Sequence, residues 1–100
     1  MSAQPTVEIG SMIIRTPGIC GGRPRITGTG MSVRRVVIWY KLGLTPEEIA
    51  DRVGPLSLAQ VHAALAYYHA NREEIETALA AEEAEADRLE QEHAVAHRPA

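Results

Sequence analysis

The sequence has no phenylalanine, one tryptophan, three tyrosines and a single cysteine. So few aromatic rings leave the core to aliphatic side chains and alanine. That is thin packing for 100 residues, and oligomerisation is the natural way to gain buried area. The lone Cys20 excludes an intramolecular disulfide and favours a reducing compartment. No charged-then-apolar leader opens the chain, and no apolar run reaches membrane-spanning length. The expectation is therefore a cytoplasmic protein without a membrane partner.

An excess of positive charge is also missing, since the net charge is −3. The charge is unevenly placed, however. Residues 1–52 carry seven basic and four acidic side chains, whereas residues 53–100 carry three basic and nine acidic ones. A front of +3 and a rear of −6 point to two kinds of partner.

No catalytic constellation can be assembled. Cys20 has no evident base, and no nucleophile, base and orienting group fall into a plausible set. His93 and His97 stand four apart but lack a third ligand of fixed geometry. The glycines around Gly18 to Gly22 lack the lysine and hydroxyl of a phosphate loop, and their spacing does not fit dinucleotide binding. The chain is not expected to be an enzyme or to hold a cofactor or metal.

What the sequence does contain is a set of helix punctuation marks. Thr45-Pro46-Glu47-Glu48 and Ser57-Leu58-Ala59-Gln60 each read as a capping box, and Gly54-Pro55 makes a corner between them. Ile49, Val53, Leu58, Val61, Leu65 and Tyr68 form the apolar seam of a helix-turn-helix. Upstream, Met12–Arg15 and Arg25–Thr27 are short β-prone runs separated by a turn-rich loop. Ser32 caps a helix over Val33–Leu42, with Gly43 at its end. Asn71 and Glu74 start a further helix from Arg72 to about Gln91.

The predicted fold is mainly α: a short N-terminal β-hairpin, a three-helix helix-turn-helix domain and a projecting C-terminal helix. The boundaries are a flexible N-terminus over 1–11, the hairpin and helix-turn-helix over 12–70, an acidic helix over 71–91 and a disordered tail over 92–100.

A helix-turn-helix suggests DNA binding, with the second helix in the major groove. The candidate contacts are Arg23, Arg25, Arg34, Arg35 and Lys41 on phosphates, and Ser57, Gln60 and His62 near base edges. Gln60 has a competing role as the capping partner of Ser57. Ala59, Ala63, Ala66 and Ala70 are placed on the outward face of that helix, which suits close packing as well as groove reading. With Val37, Ile38 and Trp39 of the strongly apolar first helix, Ala59, Ala63 and Ala66 are candidates for a homodimer interface. On the last helix only Ile75, Leu79 and Leu89 are large and apolar, a narrow face suited to docking on another chain.

The run from Arg15 to Met31, RTPGICGGRPRITGTGM, is similar to the signature of a large prokaryotic family. Gly43 to Ile49, Ala64-Leu65-Ala66-Tyr67-Tyr68 and Glu73-Glu74-Ile75 continue the likeness in order over about residues 12–79. That family, long known only as a domain of unknown function, is described as VapB-like antitoxins. The resemblance implies a small, usually dimeric helix-turn-helix antitoxin with a PIN-like toxin nuclease as partner. Taken with the charge split, the expectation is an antitoxin that binds its own promoter through the helix-turn-helix. It binds the toxin through its acidic C-terminal helix, at Ile75, Leu79 and Leu89. Many members carry arginine after the Gly-Thr pair, where this chain has Gly30. The alternative is an interaction or oligomerisation module that keeps the fold without binding DNA.

Overall fold

The computed structural model describes residues 6–53 and 56–96. After a 3₁₀ turn over Ile9–Met12 come β1 (Ile13–Ile14), a second 3₁₀ turn (Cys20–Gly22) and β2 (Arg25–Ile26). Four helices follow: α1 (Val33–Lys41), α2 (Pro46–Val53), α3 (Leu58–Ala70) and α4 (Arg72–Ala96). The chain divides into two compact units, residues 1–70 and 71–100. No charged side chain lies between 53 and 70, so this division also separates the +3 front from the −6 rear.

In the first unit β1 and β2 pair antiparallel, Ile13 opposite Ile26 and Ile14 opposite Arg25. Two-residue strands are too short to stand alone. Here they pack on α3, as do α1 and α2. Ile26, Val33, Val36, Val37, Ile49, Leu56, Val61, Ala63, Ala64, Leu65 and Tyr68 are buried. α3 is thus covered on more than one side, which explains why a helix of alanine and aliphatic residues sits at the centre.

The helix ends follow local chemistry. The Glu48 N–H donates to Thr45 Oγ1 (3.2 Å), and the Thr45 N–H donates to Glu48 Oε1 (3.0 Å). The Gln60 N–H donates to Ser57 Oγ (3.2 Å), and the Ser57 N–H to Gln60 Oε1 (2.7 Å). Both capping boxes are therefore closed. α1 ends in a Schellman motif, with Gly43 N–H on the Tyr40 carbonyl (3.0 Å) and Leu44 N–H on that of Trp39 (3.2 Å). Gly43 has φ +97°, a conformation that β-carbon-bearing residues resist. The Gly54-Pro55 corner lies outside the described residues.

The second unit is a helix of 25 residues that begins with Glu73 and Glu74 in its first turn, where the dipole favours them. Arg88 holds Glu85 and Glu92 along its surface, the latter at 2.6 Å. α4 continues to Ala96, past the Gln91 expected from sequence. Residues 92–96 are therefore helical rather than disordered, because alanine and glutamate sustain helix without packing. The rest of the expected tail, 97–100, and residues 1–5 lie outside the described residues. No helix among the described residues is long and apolar enough to cross a membrane.

Candidate nucleic-acid interface

The glycine-rich loop delivers its arginines to different jobs. Arg25 is turned inward: one terminal nitrogen donates to the Thr29 carbonyl (2.8 Å) and the other to Thr16 Oγ1 (3.0 Å). Thr29 in turn donates its hydroxyl to the Ile26 carbonyl (2.8 Å) and accepts from Met31 N–H (3.1 Å). Arg25 therefore staples the loop between β2 and α1, which corrects its expected place among the phosphate contacts. Met31 carbonyl accepts from Ile26 N–H (2.8 Å) and Pro24 carbonyl from Val33 N–H (3.0 Å), so the loop holds the start of α1 in place.

Around that start lies a pocket of about 230 Å³ lined by Arg23, Gly30, Met31, Ser32, Arg34 and Arg35. None of these lining residues is acidic. Ser32, buried, caps the helix by accepting from Arg35 N–H (3.2 Å). The first turn of α1 contains no acidic side chain and two arginines, although the helix dipole disfavours cations there. Gly30, the position at which the resemblance implies an arginine, forms part of this wall. Lys41 is exposed at the opposite end of α1, away from the pocket.

On α3 the exposed side chains are Ser57, just before it, then Leu58, Ala59, His62, Ala66, His69 and Ala70. His62 thus faces outward among the alanines, whereas the Gln60 side-chain oxygen is engaged by Ser57. Ser57 likewise has its hydroxyl committed to the cap. Two expectations for this helix are corrected. Ala63, 5 % exposed, belongs to the core rather than to an outward face. Leu58, expected in the core, is 41 % exposed. It lies with Glu47, Ala50 and Asp51 along an open groove between α2 and α3.

The expected interface on α1 is also revised. Val37 is fully buried within the chain and has no surface to offer a second protomer. Ile38 and Tyr40 are exposed and Trp39 is half-buried. Tyr40 packs edge-on against His69 of α3 at 6.0 Å between ring centres. Arg15 donates to the Tyr67 hydroxyl (2.8 Å), tying the strand end to α3. On α4, Ile75 is buried, Leu79 is half-buried and Leu89 is exposed.

Among the described residues, no three His, Cys, Asp or Glu side chains stand close enough to hold a metal ion. His97 of the His93/His97 pair lies outside the described residues, as does the Cys20 side chain. The arginine pocket and the Glu47–Leu58 groove were not anticipated as units. The signal for the pocket was present in the adjacency of Ser32 to Arg34-Arg35. The groove required knowing which way Leu58 turns.

A family model described as "Protein of unknown function (DUF433)" matches residues 13–68. Among solved structures, a DUF433 member protein from Anabaena variabilis ATCC 29413 matches with a TM-score of 0.66 and 33 % sequence identity. The match covers 70 % of this chain and 69 % of that one. No curated protein matches.

Proposed function

The chain belongs to the DUF433 family, and for it we propose the role of a cytoplasmic, non-enzymatic antitoxin. It binds DNA as a homodimer through residues 1–70 and a PIN-like toxin nuclease through its acidic C-terminal region. The observation that carries this reading is the joining of two chemically opposite units. A capped helix-turn-helix unit of net +3 gathers Arg23, Arg34 and Arg35 on one pocket, and the next segment carries −6. The basic unit suits a polyanion, and the α4 helix, with Leu89 exposed among glutamates, suits a protein surface.

Base reading in this account is sparse. His62 is the outward polar side chain best placed on α3, while Ala59 and Ala66 can touch only thymine methyl groups. Affinity rests mainly on phosphate contacts and falls steeply with salt. The test is binding to the duplex upstream of the gene at two salt concentrations, with random duplex as control. Equal affinity for both at low salt, or none for either, would refute promoter recognition. Co-purification with the product of the adjacent reading frame tests the toxin half.

One observation favours a second reading. The groove lined by Glu47, Ala50, Asp51 and Leu58 brings an exposed apolar side chain together with two acidic residues at the start of α3. Such a surface repels phosphates and suits a partner protein. Ala59→Arg separates the two: at a groove-facing position it strengthens nonspecific duplex binding, and at a protein contact it dissolves the oligomer.

A further inference from the structure

We infer that the pocket formed by Arg23, Arg34 and Arg35 at the start of α1 is a seat for a single phosphate group. In the DNA-binding reading, on which only the source of the phosphate rests, this seat takes one backbone phosphate and fixes the register of the duplex. The cavity, about 230 Å³, has room for a phosphate with part of its sugar. Its described lining includes three arginines and no acidic residue.

The attraction comes from side chains rather than helix amides. The Val33 N–H is bonded to the Pro24 carbonyl and the Arg35 N–H to Ser32 Oγ, so two donors of the first turn are used internally. Guanidinium forks match phosphate oxygens in bidentate geometry, which a point charge cannot do. The pocket is also held rigid. Arg25 ties the loop at Thr16 and Thr29, and Thr29 Oγ1 fixes Met31, the residue beside Ser32 in the wall. A preorganised seat keeps more of its interaction energy on binding than a mobile arginine does. Arg25 is thereby the positioning residue of the site, not a ligand.

The test uses the full chain. Isotope-labelled protein is titrated with inorganic phosphate, and backbone amide shifts are followed. In parallel a labelled duplex is titrated at several salt concentrations. Both are repeated with Arg23→Gln/Arg35→Gln and with Arg52→Gln, which removes a charge from α2 outside the pocket. The expected result is saturable phosphate shifts centred on residues 30–35, lost in the double variant. Duplex affinity falls about tenfold or more in that variant, and its log–log salt slope drops by about two units. Arg52→Gln changes both much less, and Arg35→Lys recovers only part of the loss. The absence of saturable phosphate shifts, with duplex binding that the double variant leaves unchanged, overturns the pocket while sparing the DNA reading. Saturable phosphate binding without any duplex affinity keeps the pocket, makes free phosphate its source and removes the DNA reading. Absence of both overturns both.

Discussion

The starts of α1 and α2 solve the same problem in opposite ways. α2 opens with Thr45, Pro46, Glu47 and Glu48, so its cap, its fixed proline φ and its charges all agree with the helix dipole. α1 has an equally good cap in Ser32, then places Arg34 and Arg35 where the dipole opposes them. The α2 end is explained by stability alone. The α1 end is not, and local conflict of this kind concentrates where a surface has another task. A cavity shared with Arg23 and free of acidic lining residues supplies that task.

The largest expected effect breaks the scaffold under both ends. Ile49→Ala empties a fully buried site between the helices and costs about 2–5 kcal/mol, measured by urea unfolding. The α2 end alone is broken by Thr45→Ala, which removes one half of the capping box and costs about 0.5–2 kcal/mol. DNA affinity should not change at temperatures where that variant stays folded.

The α1 end gives the reverse result. Arg35→Glu agrees with the dipole and should stabilise the free protein by about 0.3–1 kcal/mol while abolishing duplex binding. A variant that gains binding, or loses stability, would remove the contrast. The smallest effect concerns pH. Accepting from the Thr45 backbone N–H, then the bond with its hydroxyl, holds the Glu48 carboxyl below its usual value of 4.5. A depressed carboxylate contributes stability above that value and loses it as pH falls through its lowered folded value. The stability difference between the protein and Glu48→Gln should therefore be constant near neutrality and change only below about pH 4.5.

Much of the fold was legible because its boundaries are written in short-range chemistry. Thr45/Glu48, Ser57/Gln60 and Ser32 each mark a helix start within four residues, and the closed boxes occur where the pattern placed them. Side-chain direction on α3 was less legible. A period of three to four residues assumes one buried face, but α1, α2 and the hairpin all cover α3, so Ala63 is buried and Leu58 is turned out. Val37 was likewise misplaced because burial on α1 depends on α3, not on its own neighbours. Arg25 could not be told from Arg23 by type or spacing. Only the threonines at 16 and 29, brought together by the loop, separate a staple from a surface charge.

The most direct measurement is the slope of log affinity against log salt for duplex binding, compared between the protein and Arg23→Gln/Arg35→Gln. The account predicts a slope shallower by about two units in the variant, with affinity lost about equally for all sequences. An unchanged slope would place the phosphate contacts elsewhere and contradict it.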